Sequence, residues 1–336
     1  MCIRDSLPDA IPFVFKYYDR DWGLCTTQTV RNALQEESYR VVIQTSFEPG
    51  ILKVGEIVIP GESEKTIMLV AHLCHPAMVN DDLSGVVVGL DVAQRLLAGP
   101  RPHYTYRLLI LPETIGSVAY LSHNEHLIPK MVGGLFLEML GNDAPHALQG
   151  SFQPHSQFDR CLNTAFQVLD LQGYQGAYRT IIDNDERQFN APGVRVPMLS
   201  LSRVQAPKAS GKHPYREYHS SLDTPKNVTQ MRLGSSRDMV LNLVETWERN
   251  QYIINQFKGE IFCSGHGIWV DYRTNPEGHR RLFEIMERCD GEHTVADIAA
   301  ELGINFQSVW EVIHKLAEKD LVLLSRKAQP TTPHRE

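Results

Sequence analysis

No run within the 336 residues approaches the roughly 18 consecutive apolar side chains a membrane-spanning helix needs, which argues against a membrane-embedded chain. An excess of positive charge is also missing: Lys and Arg number 33 against 40 Asp and Glu, a formal net charge of −7. That sign argues against non-specific attraction to nucleic acid or anionic lipid and leaves only a local basic patch open. Cysteine is sparse. Cys2, Cys25, Cys74, Cys161, Cys263 and Cys289 are scattered, with no CxxC pair and no dense framework, and read as reduced thiols in a cytoplasmic protein. Internal repeats and low-complexity tracts are absent. The opening "MCIRDS" is too short and too polar for a signal peptide. It resembles translated sequencing-adapter read-through, so residues 1–6 read as non-native and the native N-terminal part as truncated.

What is present is an ordinary globular composition, 42% hydrophobic and 22% charged, long enough for two domains. From "KTIMLVAH" onward, short apolar runs alternate with helical stretches. Ile67 to Ala71 reads as a buried strand and "SGVVVGLDVAQRLLAG" as a helix closed by Gly99 and Pro100. "YTYRLLILP", "GGLFLEML" and "VPMLSLSR" read as further strands, with helices at "GSVAYLSHN" and "NVTQMRLGSSRDMVLNLVETWERN". This alternation predicts an α/β fold with a mostly parallel central sheet flanked by helices, over residues 7–258. Ligands of such sheets sit beyond the carboxyl ends of the strands. After a Gly-containing connector, three helical segments and a terminal β-run follow the order of a winged helix-turn-helix over 259–327, with Thr294 and Asn305 as N-caps. Residues 328–336 read as a disordered tail.

The chemistry gathers at "AHLCHPAMVNDDLSG". His72 follows the strand "TIMLVA", and nine residues later "NDDLSG" sets carboxylates at a helix entry, where backbone N–H groups favour negative charge. Taken alone, Asp-Asp-x-Ser there is equally ordinary N-capping. Three later segments alter the balance: "LLILPE" ends in Glu113, "GLFLE" ends in Glu138, and "YREYHSSLDTP" carries His219. Imidazole and carboxylate on successive elements suit one or two Zn²⁺ with water in an open position. A nucleophilic reading of Cys74 beside two histidines lacks any oxyanion-hole signature. In "DNDERQF", the consecutive Asp185, Glu186 and Arg187 are, by composition, a solvated turn.

These segments resemble the zinc-dependent aminopeptidase superfamily that includes bacterial leucyl aminopeptidases, transferrin-receptor-like carboxypeptidases and glutaminyl cyclases. Its pattern is a strand ending in His, "DDxSG" before a helix, a strand ending in Glu-Glu, a strand ending in Asp or Glu, and a late "H…DT" loop. More closely, "WGLC", "HLCHP", "NDDLSG", "PETIGS", "DERQF" and "EYHSSLD", in that order, resemble a bacterial aminopeptidase-like family with an appended winged helix. The resemblance covers most of residues 8–325. It implies that Asp81 bridges two metals, with His72 and Glu138 on one and His219 on the other. It further implies a substrate-lining role for Asp185, Glu186 and Arg187, the acidic pair for an α-amino group and Arg187 for a carboxylate, with Tyr218 polarising a carbonyl oxygen. Two positions depart from the pattern. His-x-Asp reads His72-Leu73-Cys74, with His75 as an alternative ligand, and Glu-Glu reads Pro112-Glu113, leaving Glu113 as either general base or ligand.

Three functions follow. The first is a metal-dependent exopeptidase or amide hydrolase acting on a small peptide or amide. The second is a non-catalytic or transferase-like relative that binds a small ligand in the same pocket. The third is a DNA-binding regulator, which the charge opposes: residues 259–336 hold nine Lys/Arg against thirteen Asp/Glu, and "QSVWEVIHKLAEKD" is mixed rather than basic. No nucleic acid and no membrane partner are expected, and the C-terminal domain reads as a packing or homo-oligomerisation module.

Overall fold

The computed structural model describes residues 3–16, 19–207 and 210–330. In chain order the main elements are α1 (Gln28–Ala33), β1 (Gly55–Ile59), β2 (Ser63–His72), α2 (Ser84–Ala98), β3 (Tyr104–Leu111), α3 (Ile115–His123), β4 (Met131–Glu138) and β5 (His146–Gln149). They continue with α4 (Gln157–Leu169), β6 (Tyr174–Gly176), α5 (Glu186–Asn190), β7 (Met198–Arg203), α6 (Gln230–Arg249) and β8 (Tyr252–Asn255). The last are α7 (Pro276–Met286), β9 (Asp290–Thr294), α8 (Val295–Leu302), α9 (Phe306–Ala317) and β10 (Val322–Ser325). Two compact units result: Met1–Phe152 with Gln172–Asp238, and Gln153–Leu171 with Met239–Glu336.

The first unit is built on a seven-stranded sheet of order β1-β3-β2-β4-β7-β5-β6. Its centre, β3-β2-β4-β7, is parallel throughout, while β1 and β5 join β3 and β7 antiparallel. Every residue of β2 from Thr66 to His72 is buried, as a strand covered on both faces requires, and the run "IMLVA" supplies the apolar side chains. β1, at the edge, keeps exposed positions and has one partner. Met68, Val70, Leu109, Leu111, Phe136, Phe189 and Met198 belong to one buried cluster. Burying such side chains contributes about 1.5–3 kcal/mol each, so the strand ends are anchored by packing.

The strand order also explains where a site can form. From β2 the chain crosses through α2 to β3 on one side, whereas β4 leads on to β5 and β7 on the other. Neighbouring strands whose connections leave in opposite directions open a crevice at their carboxyl ends. His72 and Glu138 are the last residues of those two strands.

The second unit holds α4, α7, α8 and α9 with a three-stranded antiparallel sheet, β10-β8-β9. The Thr294 side chain accepts from the Asp297 amide and the Asn305 side chain from the Ser308 amide, so both expected N-caps are in place. α8 ends on Gly303 at φ +61, a left-handed turn that suits glycine. The expected boundary at 258 falls between β8 and its partners β9 and β10, and the contact division begins earlier, at Met239. Backbone pairing sets this limit, and the composition change that suggested 258 lies in the connector beyond β8. Of the expected tail 328–336, the Gln329 amide donates to the Gly291 carbonyl at 2.8 Å, and 331–336 lie outside the described residues. Among the described residues, no helix is long and apolar enough to cross a membrane.

Candidate metal centre

His72 Nε2 lies 3.1 Å from Asp81 Oδ1 and 3.6 Å from Glu138 Oε1. The other oxygen of the same carboxylate, Asp81 Oδ2, lies 3.3 Å from His75 Nε2 and 3.2 Å from His219 Nε2. Asp81 thus turns one oxygen to each of two ligand sets, His72–Asp81–Glu138 and His75–Asp81–His219, and within each set the ligand atoms lie within 4.8 Å of one another. Four of the five residues are nearly inaccessible: His72, His75, Asp81 and Glu138 are 1, 8, 2 and 2% exposed.

The donor set fits a zinc-type cation. His72 Nε2, His75 Nε2, Asp81 Oδ1 and Glu138 Oε2 are buried and make no hydrogen bond, despite their proximity. Leaving such atoms unsatisfied costs about 1–3 kcal/mol each. Donors about 2.1 Å from a tetrahedral ion stand about 3.4 Å apart, which brackets well with the observed 3.1–3.6 Å.

The ligand loop is fixed from three sides. Asp82, fully buried, accepts from the His72 amide through Oδ2 and from the Gly85 and Met139 amides through Oδ1, tying β2, α2 and β4 together. Asp223 accepts from the Asn80 and Asp81 amides and from the Tyr215 hydroxyl. Asn80 and Ser84 accept from the Gly141 and Leu140 amides. At position 85 a Cβ would stand 2.3 Å from the Leu137 carbonyl oxygen and 2.4 Å from Asp82 Oδ1, so the glycine of "DDLSG" is a steric necessity.

Charge coupling is strong. Burial alone would raise Asp81, but the His219, His72 and His75 imidazoles around it hold it well below the usual carboxylate range. Burial likewise pulls His72 down, yet Asp81, Cys74 and Glu138 carry it well above the ordinary histidine value. For His75, burial is outweighed by Asp81, and the pKa rises to about 9. Glu138 is pushed up to about 7, by burial first and the Asp81 charge next, against His72 and Asn184.

Of the residues singled out from sequence, His72, Asp81, Glu138 and His219 converge, and His75 joins them. Glu113 belongs to neither ligand set among the described residues. The chain turns at Thr114 (φ +62) just past the end of β3, and it is His75, from the loop after β2, that stands with Asp81 and His219. The "DER" segment is not the solvated turn its composition suggested: Asp185 and Glu186 are fully buried. The segment folds inward as α5: Asp185 accepts from the Thr114 amide and the Ser117 hydroxyl, and Glu186 from the Asn184 amide. Arg187, half-buried, donates to the Asn184 carbonyl and pairs with Asp183 at 3.3 Å. This segment instead supports the site, since the Asn184 side chain donates to Glu138 and Asp185 anchors the Glu113–Thr114 turn. Tyr218 stacks on His219 with ring centroids 3.8 Å apart. Cys74 is exposed, with Sγ 3.3 Å from His72 Nδ1, the nitrogen turned away from Asp81. Sequence reasoning missed Asp223 as the anchor of the ligand loop and Phe13, whose ring stacks on His75; only the "DT" of the late loop hinted at the former.

The site thus places histidine and carboxylate side chains at the carboxyl edge of a mostly parallel α/β sheet. Residues 8–250 match the family described as a domain of unknown function, DUF4910, and the chain belongs to that family. A protein of Clostridium acetobutylicum, provisionally described as a polysaccharide biosynthesis protein with an aminopeptidase-like domain, is 30% identical over 323 residues, covering 94% of this chain and 72% of its own. A crystal structure from Clostridium acetobutylicum, provisionally described as a peptidase, superposes with a TM-score of 0.83 at 28% identity, over 96% of this chain and 72% of that one. A zinc aminopeptidase from Bacillus subtilis gives 0.48 at 18% identity, over 57% of this chain and 48% of that one.

Proposed function

We propose that this chain is a metal-dependent exopeptidase or related amide hydrolase, of aminopeptidase type, using one or two zinc ions. The observation that carries the reading is the Asp81 carboxylate, which turns one oxygen to each of two ligand sets. His72 and Glu138 would hold one ion, His75 and His219 the other, and Asp81 would bridge them. Bound there, zinc polarises a carbonyl and makes water acidic enough to deprotonate near neutrality.

The protein's own groups supply the remainder. Glu113, outside both ligand sets, is assigned as the general base that takes a proton from water and delivers it to the leaving amine. Asp185 and Arg187 position it through the Thr114 amide and hydroxyl. Tyr218 is kept protonated by burial and by the nearby Asp81, Glu138 and Glu113 charges, and so is available to donate to a substrate carbonyl. The substrate is proposed to be a small peptide or amide; the description of the Clostridium relative adds amides of amino sugars to the candidates. The C-terminal unit is proposed as a winged-helix-like packing or homo-oligomerisation module rather than a reader of nucleic acid, in keeping with its acidic balance.

The test is zinc content of the protein as purified, together with turnover of a panel of aminoacyl and amino-sugar amides. Hydrolysis that is lost with zinc and restored with it supports the reading. Full zinc occupancy with no hydrolysis of any amide replaces it with the binding-only alternative, and absence of zinc affinity refutes it.

A further inference from the structure

The two ligand sets are carried differently. His72 and Glu138 end adjacent parallel strands whose backbones pair just before them, Val70 with Phe136. His75 and His219 stand on loops, and His219 has a φ of +52, a conformation that residues other than glycine avoid. A separate segment holds these loop ligands. The Phe13 amide donates to the His219 carbonyl at 2.8 Å, the Ser221 amide to the Ile11 carbonyl at 2.8 Å, and the Ile11 amide to Ser221 Oγ at 2.9 Å. Pro12, buried between them, forms an antiparallel bridge with Ser220. This strap sets the Phe13 ring on His75 (centroids 5.1 Å, planes at 24°) and against the edge of His219 (5.5 Å, 87°). The two imidazoles in turn meet edge to face at 4.9 Å.

We propose that Phe13 is a positioning residue for the second ligand set: its ring and its backbone lock His75 and His219 into one arrangement. The first metal position then depends on the sheet and the second on the strap, so the two sites differ in affinity and can be weakened separately. The inference rests on the metal reading above.

The experiment strips the full chain with a chelator and titrates zinc back against a chromophoric competitor, for the wild type, Phe13→Ala and Phe13→Trp. Expected are two zinc ions in the wild type. Phe13→Ala should keep the tighter one with an affinity within about twofold and bind the weaker one roughly 10- to 100-fold less well, the usual effect of removing a partner that orients a ligand. Phe13→Trp, which keeps an aromatic face, should restore most of the second affinity. Retention of the tight site serves as the control for folding. Equal loss at both sites, no loss at either, or failure of the tryptophan to rescue overturns the assignment. A wild type that binds a single ion overturns it while leaving a one-metal enzyme standing; a wild type that binds none overturns the metal reading itself.

Discussion

Replacing Asp223 by Asn preserves shape and alters what the ligand loop rests on. The native carboxylate accepts from the Asn80 amide at 3.0 and 3.1 Å, from the Asp81 amide at 3.2 Å and from the Tyr215 hydroxyl at 2.9 Å. Hydrogen bonds to a charged acceptor contribute about 1.5–3 kcal/mol against about 1 for a neutral one, so three donors would lose about 1.5–6 kcal/mol together. One amide N–H₂ would also face backbone N–H donors. Against this, burial is the largest influence on Asp223 and raises its pKa, so a neutral side chain recovers part of the cost of desolvating the charge. The net expectation is about 2 kcal/mol of lost stability in the metal-free protein, with Asp223→Ala, which removes every acceptor, losing about 3–5 kcal/mol. Because the same bond fixes the Asp81 backbone, zinc affinity should fall roughly 10- to 100-fold in Asp223→Asn. Urea unfolding in chelator gives the first quantity and zinc competition the second. If Asp223→Asn keeps wild-type zinc affinity, or if Asp223→Ala is the milder change, the anchoring argument is wrong.

Gly85→Ala should destabilise by about 2–4 kcal/mol or fail to fold, because its Cβ would meet the Leu137 carbonyl oxygen at 2.3 Å and Asp82 Oδ1 at 2.4 Å, well inside van der Waals contact; a thermal midpoint within a degree of wild type would contradict this. Zinc binding should release at least about one proton at pH 7, since Asp81 holds His75 at about 9 and the metal needs the neutral imidazole. Affinity should therefore climb as pH rises toward 9 and fall on acidification, and calorimetry in buffers of different ionisation enthalpy should show a non-zero slope. Glu113→Gln should retain its zinc while turnover drops roughly 10²- to 10⁴-fold; loss of zinc instead would return Glu113 to the ligand role.

The sheet was legible where burial on both faces leaves a continuous apolar run. β2, β3, β4 and β7 stand out as such runs, and His72 and Glu138 follow from their ends. β5, "HALQ", and the three residues of β6 carry no comparable signal, because edge and near-edge strands are specified by their partners. β8, the central strand of the small sheet, was missed because it is only four residues long. α4 was missed although its Phe158, Cys161, Leu162, Ala165 and Phe166 form a helical stripe. Within the site, the strand-borne ligands could be read and the loop-borne ones only in part. Spacing does not say whether His75 or Glu113 turns toward Asp81, since that depends on the turn at Thr114 and on Asp185 beneath it. Composition made Asp185 and Glu186 a solvated turn, but buried backbone amides awaiting acceptors drew both inward. Phe13 left no trace in the sequence, lying about 60 residues from the nearest group it orders.

The strand order has a consequence for synthesis on the ribosome. β4 lies between β2 and β7, yet β7 begins about 60 residues after β4 ends, a gap of roughly 3–12 s at 5–20 residues per second. Through that interval the nascent chain carries a four-stranded sheet, β1-β3-β2-β4, whose newest strand has an open hydrogen-bonding edge. The bridging carboxylate, made early, waits longer still for its last partner, because His219 and Asp223 emerge only after β7. A half-made chain therefore presents a sticky edge and an incomplete ligand set at once, and a cation captured early could be held by the strand-borne ligands alone until the late loop arrives.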